Sequence, residues 1–188
     1  MDRNTANGFT LIELVVVIAL VAGLATTAVA GMRGLFQNQA AYSANRLLIA
    51  SLNLARTHAV ANRQVVAVCR SGTGHSCDTE ASWDGGWLVF ETPANDTRCS
   101  DPNGTGFCAE HGGRILQVER HAAAGQLWIT HNHNVRHRVR FNALGLSPGY
   151  TGRFTVCAAD GSSLRGIVIP QTGRIRAARP SEFLDCET

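Results

Sequence analysis

The sequence predicts an α+β fold, with one long N-terminal α-helix packed against a C-terminal antiparallel β-sheet or sandwich. Three observations predict it. No proline interrupts residues 11–62. Apolar residues run continuously there and then recur at helical spacing. Beyond residue 62, short β-type runs alternate with turn-rich stretches. Strands that follow one long helix supply the layer it must pack against.

The helix comes first. Residues 14–32 carry no charge over 19 positions, enough for a helix to cross a hydrocarbon core of about 30 Å. A secretory signal is not expected, because the residues before Phe9 are polar and no small-residue cleavage site follows. Glu13 stands at the head of this run. An ionisable group in hydrocarbon costs about 2.5–3.5 kcal/mol or more, so a partner is expected for it. Further on, Ala44, Leu48, Leu52, Ala55 and Ala59 share one helical face, while Arg46, Asn53, Arg56 and Arg63 gather on another. The expected division is a membrane or filament half at 9–36, an amphipathic half at 37–62 and a β-rich body at 63–188.

The β-type runs lie at 64–69, 86–91, 114–119, 126–130, 135–141, 152–157, 164–169 and 173–177. The intervening stretches 70–85 and 92–113 are long, polar and cysteine-bearing, so they are expected as surface excursions. All six cysteines lie beyond the apolar run, which suggests disulfides in an oxidising space. Proximity in sequence favours Cys69–Cys77 and Cys99–Cys108, leaving Cys157–Cys186 to pin the tail, one choice among the many pairings six cysteines allow.

Charge is unevenly distributed. The chain carries a net +3, and all 17 cations are arginine. Residues 133–179 hold eight arginines against Asp160 alone, while residues 180–188 carry three acids. Arginine's planar fork suits phosphate. Catalysis is not expected: no G-x-S-x-G occurs and no carboxylate pair has a motif context. Trp83 and Trp87 bracket a glycine turn and read as core, although tryptophans also stack on bases. His131, His133 and His137 fall at even spacing, but three arginines beside them disfavour a divalent cation. Their partial protonation would instead add to the positive charge. No metal and no cofactor is expected.

The segment "GFTLIELVVVIALVAGLA" resembles the class III signal of type IV pilins and type II secretion pseudopilins. That resemblance implies a leader at 1–8 removed after Gly8 by a prepilin peptidase and N-methylation of Phe9. It further implies a helix that sits in the inner membrane and later in a filament. Glu13 would then neutralise the new amine of Phe9, in its own chain or a neighbour. "ANRLLIASLNLARTHAVANRQVVAVC", "WDGGWLVFE", "VRFNALGLS" and "GIVIPQTGRIRAAR" are similar to the FimT/GspH group of minor pilins and pseudopilins. The leader departs from the pattern in having only Arg3 as a cation, offset by Asp2. The implied fold is pilin-like, and the implied location is a single-pass inner-membrane protein with a periplasmic domain that joins a pilus or pseudopilus. Major and minor pilins are the implied partners.

Late in the chain, Gly173, Arg174, Ile175 and Arg176 match a Gly-Arg-x-Arg pattern that resembles the DNA-binding signature of FimT proteins from naturally transformable bacteria. In an extended strand, Arg174 and Arg176 share one face and Ile175 turns to the core. Gly173 permits a tight approach or turn beside them. Arg179 follows closely. Arg136, Arg138 and Arg140 share a strand face by the same alternation and, with Arg165, are further phosphate candidates. The expected function is a minor pilin that binds DNA independently of sequence for natural transformation, provided these arginines face solvent and are free. The competing expectation is a structural part: a GspH-type pseudopilin of type II secretion or a priming minor pilin.

Overall fold

The computed structural model describes residues 10–93, 96–120 and 127–186, without the side chains of 25–33. Gly8, Phe9 and the leader therefore lie outside the described residues. The chain divides into two compact units, Met1–Phe36 and Gln37–Thr188. Helix α1 runs over Leu11–Asn62. Thr10 caps its start, its hydroxyl accepting the Glu13 backbone N–H at 3.4 Å. Glu13 is an exposed acid in the first turn, where the helix dipole favours negative charge. Among the described residues, no helix is long and apolar enough to cross a membrane. Much of the expected span at 14–32 falls where side chains are not described.

In the second unit, Ala41, Ala44, Leu48, Leu52, Ala55 and Ala59 are all at most 2 % exposed. Their spacing of three and four residues is one helical stripe, and four alanines in it let the sheets approach closely. The helix stops at Arg63, whose φ of 53° is left-handed. There the Gln64 N–H returns to the Ala59 carbonyl at 3.1 Å, satisfying one terminal acceptor.

Among the described residues, eight strands follow: β1 Val65–Arg70, β2 Gly86–Thr92, β3 Ile115–Arg120, β4 Leu127–His131, β5 Arg138–Phe141, β6 Gly152–Ala158, β7 Ser163–Ile169 and β8 Arg176–Ala177. They form two four-stranded antiparallel sheets, ordered β3-β2-β1-β5 and β4-β6-β7-β8. Val66, Val68, Val89, Val139 and Phe141 of the first sheet share a core with Ile129, Phe154, Val156, Ile167 and Ile169 of the second and with the helix stripe. Trp83 sits within it, edge-on to Phe154 at 5.0 Å, its indole N–H donating to the Val135 carbonyl at 3.1 Å. Trp87 is equally buried, so both tryptophans serve packing.

The alternate faces are covered too. Ala67, Cys69, Leu88 and Phe90 form a second cluster with Cys99 and Cys108, so the long polar loops bring their own apolar lining. The disulfides are Cys69–Cys77, Cys99–Cys108 and Cys157–Cys186. On the second sheet, Cys186 ties down a C-terminal strap. Its Leu184 N–H donates to the Thr155 hydroxyl at 2.8 Å, and Phe183 packs where a Cβ on Gly166 would meet its ring at 2.9 Å.

Two strands are shorter than their sequence runs. The run 135–141 begins as a 3-10 turn, His133–Val135, and pairs only from Arg138. The run 173–177 pairs only at Arg176 and Ala177, because Gly173 is still in the preceding turn.

Candidate nucleic-acid interface

The Gly-Arg-x-Arg stretch leaves β7 through a turn closed by the Gly173 N–H on the Pro170 carbonyl at 2.8 Å. Gly173 is buried with φ 71°. A Cβ there would overlap the Gly145 carbonyl oxygen, so both conformation and space call for glycine. Ile175 is half-buried against the core, and Arg174 and Arg176 on either side are exposed. The alternation expected of an extended segment thus holds, although ladder pairing starts only at Arg176.

Arg176 is not free. Its Nη1 and Nη2 donate to Glu182 Oε2 and Oε1 at 2.8 and 2.6 Å. Glu182 Oε2 also accepts the Arg179 backbone N–H at 2.8 Å. The Arg176 guanidinium, then the Arg179 amide, hold the Glu182 carboxyl down at about 2. The cause is local: Pro180 opens a 3-10 turn, Pro180–Glu182, which presents Glu182 to the residues before it. This corrects the expectation of two free forks. Arg174 contrasts with it, being exposed and in none of the ion pairs among the described residues. Arg179 is exposed at the start of the same turn.

The other candidates do not join this edge. Arg136 lies outside β5, capping the 3-10 turn in helical conformation, so the expected row of three arginines does not exist. Arg138 and Arg140 pair with Cys69 and Ala67 on the first sheet. Arg138 donates to the Thr97 hydroxyl, and Arg140 lies over the Tyr150 ring, 5.5 Å from its centroid. Arg165 is half-buried opposite Val156, on the row of buried Ile167 and Ile169. The basic segment is therefore distributed over both sheets rather than gathered in one patch.

Two of the three histidines, His131 and His137, run against the expected gain of positive charge by protonation. Burial, then the Arg70 guanidinium, lowers His137 below its ordinary value, and Arg70 donates to its Nδ1 at 2.9 Å. His131 is likewise lowered, chiefly by burial and then by Arg70 and Arg136. His131 ends β4 and His133 begins a turn, so the three share no strand face. Among the described residues, no three His, Cys, Asp or Glu side chains gather to hold a metal.

Two arginines outside the expected phosphate contacts do meet the site. Arg153 is exposed, on the β6 row that runs through Val168 to Arg176, and donates to the Glu182 carbonyl at 3.3 Å. Arg56 of α1 donates through Nε to the Gly145 carbonyl at 3.1 Å, the group against which Gly173 is seated. Neither belongs to the late basic motif, and only strand register and tertiary packing bring them there.

The comparisons with known proteins agree with this fold. Residues 44–173 match the family described as "Type II transport protein GspH", and residues 3–29 match the prokaryotic N-terminal methylation motif. The crystal structure of the type IV minor pilin FimU from Pseudomonas aeruginosa is similar at a TM-score of 0.57 and 22% identity, covering 78% of this chain and 95% of that one. A second crystal form of FimU matches at a TM-score of 0.54 and 21% identity, covering 78% and 99%. The minor pseudopilin EpsH of the Vibrio cholerae Type 2 Secretion System matches at 0.42 and 11% identity, covering 75% and 97%. No curated protein matches the chain. With most of its length accounted for by that family and a methylation motif at its head, the chain belongs to the GspH family of minor pilins and pseudopilins, structural proteins rather than enzymes.

Proposed function

We propose that this protein is a minor pilin of a type IV pilus that binds extracellular DNA for natural transformation. The observation that carries the reading is Arg174, an exposed guanidinium held on a glycine-shaped turn and outside every ion pair among the described residues. A fork so placed meets phosphate oxygens without reading bases, which suits DNA of arbitrary sequence. Arg176 joins when phosphate displaces the Glu182 carboxylate, because an exposed ion pair is weak and exchangeable. Arg179 extends the contact. Arg138, Arg140 and Arg165 are subsidiary, given their engagements, and so is the exposed Arg136, which stands outside β5 at the end of a 3-10 turn. In this reading the peptidase cuts after Gly8, Phe9 is methylated, and Glu13 neutralises its amine in the inner membrane and then in the filament. Other pilins are its assembly partners, and the globular part is periplasmic before assembly.

A second reading is a pseudopilin of type II secretion, and the closed Arg176–Glu182 pair favours it, since a protein-only interface needs no free phosphate fork. A deletion strain separates the two. The DNA reading expects transformation to be lost while piliation and secretion stay normal. Lost protein secretion with normal transformation would overturn it.

A further inference from the structure

We infer that the second fork of the phosphate grip comes from the helix, with Arg56 acting beside Arg174; this rests on the nucleic-acid reading above. A two-fork clamp on one phosphate needs two guanidiniums close together, and Arg176 can serve only after phosphate has displaced both Glu182 oxygens. Arg56 is the guanidinium that the helix brings to the same turn. A Cβ built on Gly173, the residue preceding Arg174, would lie 3.3 Å from Arg56 Nε. One built on Gly145, which has φ 72°, would lie 3.3 Å from the same nitrogen and 2.8 Å from Val60 Cγ2. Helix α1, the 142–151 loop and the 170–175 turn thus converge on one guanidinium, and two glycines leave the room it takes.

The donors of Arg56 are only partly spent. Its Nε serves the Gly145 carbonyl, while no ion pair among the described residues includes it. The contact orients the side chain, so less freedom is lost when the terminal nitrogens take a ligand. Beside it lies a solvent-open depression lined by Thr57, Val60, Ala61 and Leu144. The negative end of the helix dipole does not decide the matter. Its influence is confined to the last turn, and Arg56 precedes the helix end at Asn62 by six residues. The ligand class is a phosphodiester backbone held between a helical and a turn arginine.

The test uses the full-length protein in detergent and a fluorescein-labelled mixed-sequence DNA duplex, followed by anisotropy at low and moderate salt. Arg56→Gln is expected to weaken binding several-fold and to reduce the log–log salt slope by about one. Arg56→Gln with Arg174→Gln is expected to lose less than the product of the single effects, because both act on one phosphate. Thr57 takes no part in the Arg56–Gly145 hydrogen bond, so Thr57→Glu, which places a carboxylate beside Arg56, is expected to weaken binding as well and keeps the test valid if Arg56→Gln misfolds. Wild-type affinity and slope in Arg56→Gln, or in Thr57→Glu, alongside a weakened Arg174→Gln would overturn this inference alone. Absence of binding by the wild-type protein at low salt would overturn the nucleic-acid reading and this inference with it.

Discussion

Arg174 and Arg176 stand two residues apart yet face different electrostatics, because the turn at Pro180 delivers a carboxylate to one and not the other. Glu182→Gln therefore frees the Arg176 fork, and DNA affinity is expected to rise about two- to fivefold, the worth of an exposed pair. Unchanged or reduced affinity in an anisotropy titration would count against this. The carboxyl of Glu182 is pulled down to about 2 by Arg176 and then by the Arg179 amide. The pairing is thus complete above the ordinary carboxylate range and is lost only as pH falls towards 2. Mild acid does not open it. His131 and His137 work in the opposite direction to a charge reserve. Burial first, then Arg70 and Arg136, disfavour their protonation in the folded state. The unfolded chain accordingly binds more protons below about pH 6.5, so stability present at neutral pH declines as acid is added. NMR titration is expected to place both imidazoles below the ordinary histidine midpoint. A midpoint at or above it would refute the assignment.

At the level of elements, the 170–175 turn depends on Gly173 for two separate reasons, its left-handed φ of 71° and its contact with the Gly145 carbonyl. Gly173→Ala is expected to cost about 1–3 kcal/mol and to weaken DNA binding by shifting Arg174. Thermal or denaturant unfolding checks the first part, and a wild-type midpoint would show the turn to be permissive. Much of this architecture was legible in the sequence. The Ala44–Leu48–Leu52–Ala55–Ala59 stripe, the eight β-type runs and the two cysteine pairings close in sequence follow from local pattern, and Cys157–Cys186 is the pair that remains. What was not legible depends on distant packing. The run at 135–141 loses its first residues to a turn in which Val135 is buried under the Trp83 indole, and periodicity contains no trace of that contact. The Arg56–Gly145 bond spans 89 residues and carries no motif. The Glu182 pair was within reach, since the acidic tail was visible, but only the Pro180 turn determines which arginine it meets.

Across the second unit, one core joins the helix stripe to both sheets, and disulfides pin the loops and the C-terminal strap at its margins. That leaves the arginines at the periphery, distributed over two sheets and the helix, several already engaged with hydroxyls, rings or carboxylates. A molecule built this way offers few free forks, so its hold on DNA is expected to be modest and salt-sensitive rather than tight. The most direct measurement is the affinity of the full-length protein for a mixed-sequence DNA duplex between 50 and 200 mM salt. Two or three phosphate contacts predict about a ten- to fortyfold loss over that range, with the loss becoming smaller once Arg174 is replaced by Gln. Affinity that ignores salt, or that survives Arg174→Gln unchanged, would contradict the account.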